Sequence, residues 1–246
     1  MQQAKNTPPE TILVAGASGG LATALVEKLS RRFPRARLLT ISRTGIASPA
    51  GRHSHHSVDL SNPETITDVT EWLRYESLPN WVIHCSGILH WPNHLPEKNL
   101  QQCKDEALLR SIAVNVLSHL HLAQALAPLL QKRSPLTWAS LSAKVGSIED
   151  NHLGGWYSYR MSKAALNMLV RNLSIEWGRK LDCCRVVAVH PGTTDTALSK
   201  PFQQNIPVDK LYSPAQSADR IVSVLEQLCD ADTGKLLFWD GSQIPW

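Results

Sequence analysis

Apolar runs of strand length alternate with stretches of helical periodicity along nearly the whole chain. That alternation constrains the fold more than any other feature. The runs are TILVAG (11–16), ARLLTIS (36–42), HHSVDL (55–60), NWVIHCSG (80–87), LTWASLS (136–142), CRVVAVHPG (184–192) and GKLLFWDG (234–241). Most are continuously apolar, which marks strands buried on both faces. Between the first two, Leu21, Leu25, Leu29 and Phe33 recur at helical spacing. Ser61 followed by Pro63 and Glu64 predicts a helix start, with Ser61 as the cap. A long helix is predicted over roughly 105–131, another around Tyr159 and Lys163, and a last one with Pro214 in its first turn. Strand–helix alternation of this kind predicts a doubly wound parallel sheet in a three-layer α/β/α arrangement. Residues 11–246 are expected to form a single domain behind a flexible lead-in, residues 1–10, with no linker or repeat.

Composition narrows the function classes. Of 246 residues, 43% are hydrophobic and 19% charged, the balance of a globular protein. No apolar run approaches the ~20 residues that span a bilayer, and MQQAKNTPPE has no apolar signal core. A cytoplasmic location is expected. The formal charge is +4, with basic residues scattered and densest in RRFPRAR (31–37), which is no concentrated nucleic-acid face. The five cysteines, Cys85, Cys103, Cys183, Cys184 and Cys229, contain no C-x-x-C pair and read as free thiols. His53, His55 and His56 cluster, as do His119 and His121, but neither group has ligand partners at a familiar spacing, so no metal site is expected. His119 and His121 read as surface or interface residues.

Chemistry enters at WYSYRMSKAALN (156–167). On a helix, Tyr159 and Lys163 stand four residues apart and share a face, whereas Tyr157, six from the lysine, points elsewhere. A cation beside a phenol favours the phenolate and lowers its pKa. The pair can therefore act as a proton donor and acceptor.

A second signal is AGASGGLA (15–22), between a predicted strand and helix. Such a turn lets backbone N–H groups approach a pyrophosphate at a helix N-terminus, as in Rossmann-type folds. The spacing, Gly16-x-x-x-Gly20-x-Ala22, differs from G-x-G-x-x-G. The second strand ends at Ser42 and Arg43, where NAD-binding sites commonly place an acidic residue. Arginine can pair with a 2′-phosphate and serine can donate to it, so NADP(H) is expected in preference to NAD(H).

Together these motifs resemble the short-chain dehydrogenases/reductases, from about residue 11 to the C-terminus. The glycine motif T-G-x-x-x-G-x-G looks like Ala15 to Ala22, with Ala15 for Thr and Ala22 for the last Gly. The resemblance assigns Gly16, Ser18, Gly19, Gly20 and Leu21 to the cofactor. Asp59-Leu60 resembles the adenine-contacting pair. HCSG (84–87) stands where the family has N-N/A-A-G; His84 and Cys85 depart from that motif, while Ser86 and Gly87 would lie beside the cofactor together with Cys85. HPGTTDT (190–196) resembles the segment that holds the nicotinamide carboxamide, which implies Pro191, Gly192, Thr193, Thr194 and Thr196. Asn115 resembles the active-site asparagine. Ser142 matches the catalytic serine, with Ser140 deeper on the same face. Ser142 and Tyr159 are 17 residues apart, which implies an enlarged loop. Within the family, WYSYR-SKAALN and WDGSQIPW look most like the C-factor branch, which includes sniffer-like carbonyl reductases.

The resemblance implies an oxidoreductase that reduces a carbonyl to an alcohol, or the reverse, on a small molecule. Tyr159 would be the general acid and Ser142 a donor to the substrate oxygen. Lys163 would lower the phenol pKa and bond the nicotinamide ribose; Asn115 would hold a water leading to solvent. TALSKPFQQNIPVDKLY (196–212) would form a substrate lid, and Tyr157 would pack nearby. Because family members often pair such helices across a dimer interface, the resemblance implies a homodimer or homo-oligomer through the long helix, with its Leu108, Leu109, Ile112, Val116 and Leu120. The alternative is a dinucleotide-binding, C-factor-like regulatory protein whose catalysis is secondary.

Overall fold

The computed structural model describes residues 8–47 and 52–246; most of the expected lead-in, residues 1–7, lies outside them. The order is β1 (Thr11–Ala15), α1 (Gly20–Arg32), β2 (Arg37–Ser42), β3 (His53–Ser57), α2 (Thr65–Tyr75) and β4 (Trp81–His84), then α3 (Asp105–Ile112) and α4 (Ser118–Leu126). There follow β5 (Leu136–Leu141), α5 (Tyr157–Lys180), β6 (Cys184–His190), β7 (Thr193–Thr194), β8 (Leu211–Tyr212), α6 (Pro214–Gln227), β9 (Leu236–Phe238) and β10 (Gln243–Ile244). The main sheet runs β10-β9-β6-β5-β4-β1-β2-β3. All its pairs are parallel except β9–β10. The order reverses between β1 and β4, and a cleft opens there at the carboxyl ends of the strands.

Alternation along each strand divides the core. From β1, Leu13 and Ala15 face the layer that carries Val69, Leu122, Leu126, Leu166 and Val170 of α2, α4 and α5. Ile12 and Val14 face Leu25 and Leu29 of α1 and Ile221 and Leu225 of α6. The fold is thus the expected doubly wound α/β/α sheet. α6 begins with a capping box, Ser213 with Gln216, and Pro214 in its first turn.

Several boundaries differ from those expected. β3 pairs with β2 from His53 to Ser57, so Asp59 and Leu60 lie past its end. α2 starts at Thr65, and Ser61 does not cap it: the Ser61 N–H and hydroxyl both donate to Asp59 Oδ1, at 2.9 and 2.7 Å. The predicted helix over 105–131 is interrupted by a π-helical segment, Ala113–Leu117, and its Asp105–Leu129 stretch is, contrary to expectation, long and apolar enough to cross a membrane. Here α3 packs on α5, and α4 on α2. GKLLFWDG forms only β9; the chain then turns back as β10, the one antiparallel strand of the main sheet. The outermost strands are β10, two residues long, and β3, whose sequence HSHHS has no apolar residue.

Candidate active site

The cleft at the strand-order reversal is lined by Gly16, Ser18, Gly19, Ser42, Arg43 and Asp59, and further by Leu60, Cys85, Ser86 and Gly87; its volume is about 160 Å³. Gly16 is left-handed, φ +73°, and a Cβ there would lie 2.7 Å from both the N and the Oγ of Ser86. Only glycine allows the two loops this close approach. α1 starts at Gly20 with neither a capping side chain nor an acidic residue in its first turn. The positive end of the helix and its free N–H groups are thus open to an anion. Gly20 also faces the opposite wall, since a Cβ on it would sit 3.3 Å from the Thr196 methyl. Leu21 is turned away, packed against the α1/α6 side of the core. These features fit the pyrophosphate of a dinucleotide.

Arg43 is exposed at the end of β2. Ser42 is buried, and its hydroxyl donates to the Thr44 carbonyl at 2.6 Å, so its proton is engaged within the turn. Arg43 is the cation at this position, and Ser42, which also lines the cleft, would release Thr44 to donate to an anion there.

The second half of the site gathers on α5. Tyr159 and Lys163 are 8% and 3% exposed, too little for a freely solvated pair. The Lys163 ammonium donates to the Leu141 carbonyl at 2.9 Å and stands 5.9 Å from the Tyr159 ring centroid. Adjacent in sequence to Leu141, Ser142 is buried and donates from Oγ to Asn167 Oδ1 at 2.7 Å, while Asn167 Nδ2 donates to the Gly146 carbonyl at 3.1 Å. Asn115 sits in the π-helical segment, wholly buried. Its Oδ1 accepts from Ile88 N at 2.7 Å, and its Nδ2 donates to Ile88 O at 3.0 Å and to Ser162 Oγ at 2.8 Å. Gly87 joins the two halves: a Cβ there would lie 3.5 Å from Lys163 Nζ and 3.6 Å from Asn115 Oδ1.

Electrostatics correct one expectation. Burial pushes the Lys163 ammonium down to about 8 and raises the Tyr159 phenol well above its ordinary value. The net shift of the phenol is upward because desolvation of the buried phenolate outweighs the effect of the nearby lysine. Burial likewise pushes the Cys85 thiol up to about 12, with Lys163 opposing.

His84 and His119 are fully buried and stacked, their ring centroids 3.6 Å apart. His121 is also buried, its Nδ1 2.8 Å from the Leu60 carbonyl. The surface or interface placement expected for His119 and His121 is therefore overturned, since α4 turns both toward the interior. Hydrogen bonding fixes a direction through the stacked pair. Trp138 Nε1 donates to Ser140 Oγ (2.9 Å), which donates to His119 Nδ1 (3.0 Å). His119 Nε2 donates to Ser86 O (3.3 Å), Ser86 N donates to His84 Nδ1 (3.4 Å), and His84 Nε2 donates to Ser118 O (3.1 Å). The two links in which Nδ1 accepts require each ring to be neutral. Burial supplies that state, with His84 lowered to about 3 and His119 well below its ordinary value.

Pro191 and Gly192 form the turn after β6. Gly192 has φ +79°, and a Cβ on it would meet Tyr212 at 2.8 Å and Trp239 at 3.1 Å. β7, Thr193–Thr194, pairs with β8, and Thr194 Oγ1 lies 2.7 Å from Ser217 Oγ. The 196–212 stretch folds back over Tyr159, where Leu198 and Phe202 join Leu89, Ala143, Val145 and Trp156 in an apolar cluster. His90 Nε2 bonds the Ala197 carbonyl at 3.0 Å. Tyr157 is half-buried at the first position of α5.

Comparison with known proteins agrees with this geometry. A family model described as enoyl-(acyl carrier protein) reductase matches residues 16–241. The chain belongs to the short-chain dehydrogenases/reductases. It is 27% identical over 238 residues to the 1-hydroxy-2-glutathionyl-2-methyl-3-butene dehydrogenase of Rhodococcus sp. (strain AD45), covering 96% of this chain and 99% of that one. Among solved structures, an NADPH-bound carbonyl reductase from chicken fatty liver superposes with a TM-score of 0.80 at 25% identity, covering 96% and 99% of the two chains. The carbonyl reductase Sniffer of D. melanogaster gives 0.77 at 22% identity with the same coverage. Membership makes the chain an oxidoreductase of the nicotinamide-dependent type.

Asn115 and Lys163 thus stand against Gly87 of the cleft, with Tyr159 beside Lys163 and Ser142 next in sequence to the Leu141 carbonyl that Lys163 bonds. Three contributors were missed: Asn167, Ser162 and the His84–His119 stack. Only Asn167 carried a signal, since 159, 163 and 167 follow a four-residue period on one helix face.

Proposed function

We propose that this short-chain dehydrogenase/reductase is an NADP(H)-dependent carbonyl reductase. The observation that carries the reading is Arg43, exposed at the end of β2, in a cleft whose Gly87 stands against Lys163, the neighbour of the buried Tyr159. When bound, the dinucleotide supplies or accepts hydride at the carbonyl carbon. Tyr159 holds the proton that the developing alkoxide takes. Ser142 donates to the same oxygen by rotating its hydroxyl away from Asn167, and it stabilises the charge. Lys163 keeps a cation beside the phenol, which favours phenolate as the proton leaves. Asn115 fixes Ile88 and with it the loop from Gly87. Leu89, Val145, Trp156, Leu198 and Phe202 surround Tyr159 with apolar surface and exclude water, which suits a ketone or aldehyde on an apolar body.

The test is titration of the purified protein with NADPH and NADH, followed by tryptophan fluorescence, then a carbonyl panel with the tighter cofactor. Tighter NADPH binding with carbonyl-dependent NADPH oxidation supports the reading. Equal affinity for the two cofactors removes the role of Arg43. Biological activity retained in full by Tyr159→Phe would replace the enzyme with a dinucleotide-binding regulatory protein.

A further inference from the structure

The catalytic helix does not cap itself. α5 begins at Tyr157, and the residue before it, Trp156, offers no side-chain acceptor and is left-handed at φ +50°, ψ 43°. Among the described residues only Asn93 shares a positive φ with it outside glycine. A bulky aromatic in that region is disfavoured and persists only where its surroundings impose it. The partner that imposes it lies some sixty residues earlier in the chain.

Glu97 is 2% exposed, an unusual burial for a carboxylate. Its side chain reaches the first turn of α5: Ser158 N donates to Oε2 at 3.2 Å, and Ser158 Oγ donates to Oε1. Its own carbonyl accepts from Trp156 N at 2.5 Å. Gly155, the residue before Trp156, is also left-handed at φ +64°, a conformation that glycine adopts without strain. The carboxylate thus supplies the cap and the negative charge that the positive end of a 24-residue helix favours. From this turn the Trp156 indole meets the Tyr159 ring edge-on, at 6.3 Å between centroids, and Phe202 at 5.0 Å. Tyr159 is the next residue after Ser158.

We propose that Glu97 is a positioning residue for the carbonyl reduction. It clamps the first turn of α5 and holds Trp156 left-handed, which sets the direction of the Tyr159 hydroxyl and completes the apolar wall beside it. This rests on the carbonyl-reductase reading for its consequence in turnover, but not for its structural content. Glu97 touches neither substrate nor the reacting atoms.

The experiment compares the full chain with Glu97→Ala and Glu97→Gln. Amide hydrogen exchange at 156–160, near-ultraviolet circular dichroism, NADPH Kd, and kcat and KM for an aromatic aldehyde are measured. In Glu97→Ala, exchange at Ser158 should quicken at least about tenfold. kcat should fall about 10–100-fold, the scale of a misplaced catalytic group, with NADPH Kd unchanged because Gly16 and Arg43 are untouched. Glu97→Gln keeps one acceptor for Ser158 and should lie between wild type and Ala in both readouts. Unchanged exchange in Glu97→Ala overturns the clamp, and quickened exchange with unchanged kcat and KM overturns the positioning role. If Glu97→Ala does not fold, Glu97→Gln carries the same two criteria. A wild-type protein inert toward carbonyls with NADPH refutes the proposed function instead, and the exchange result still decides the clamp.

Discussion

Replacing Asn115 with alanine removes three hydrogen bonds at once, and the structure fixes what each loss costs. The Ile88 N–H loses its acceptor at 2.7 Å, and the Ile88 carbonyl loses its donor at 3.0 Å. The Ser162 hydroxyl loses the donor at 2.8 Å but still donates to the Tyr159 carbonyl at 2.8 Å, so it is not stranded. Two backbone groups are left without partners. A stranded group costs about 1–3 kcal/mol when dry, less where water reaches it. Ile88 is half-buried, so the lower part of that range applies to each, for a sum of about 3 kcal/mol. For a chain of this length that corresponds to a fall in Tm of roughly 6–12 °C. Urea unfolding followed by circular dichroism is the assay: the midpoint should move to lower urea with the slope unchanged. A midpoint shift worth less than about 0.5 kcal/mol, the scatter of a neutral surface change, would refute the claim that Asn115 anchors the loop beginning at Gly87.

Three further outcomes are expected. Arg43→Ala should weaken NADPH about 10–100-fold, the worth of one charge-assisted hydrogen bond, while NADH is unaffected; equal losses for both cofactors would deny a 2′-phosphate contact. Tyr159→Phe should lower kcat about 10²–10⁴-fold, as for loss of a general acid, with NADPH binding retained in a fluorescence titration. Folding stability should fall as pH drops from about 6.5 toward 3, because His84, lowered to about 3, and His119 are neutral when folded yet take up protons when unfolded. Each contributes a slope of about 1.4 kcal/mol per pH unit within that window. His119→Gln should reduce the slope between pH 6.5 and 5 in urea titrations, and an unchanged slope would place the titration elsewhere.

The sheet was legible because its central strands are continuously apolar, a pattern that holds whatever the neighbours are. β10 was not: two residues, Gln243 and Ile244, form a strand only because β9 is there to pair with. The same division holds in the site. Tyr159 and Lys163 announce themselves by local spacing, and the glycine turn by its place between strand and helix. Glu97 and Ser158 are brought together by the fold alone, and no local pattern links them. The histidines misled for a related reason. A ring pair whose four nitrogens are all matched can be buried as readily as an apolar pair, but the matching groups, Ser86, Ser118 and Ser140, are scattered across three elements.

The two rims of the sheet have a consequence for handling the protein. A parallel sheet with open ends invites further strands from neighbouring molecules. Here one rim is a two-residue reversed strand, and the other is a strand of histidine and serine with nothing apolar to seat a newcomer. Both rims are therefore blunted against edge-to-edge pairing of folded molecules, one by its length and the other by its polar side chains.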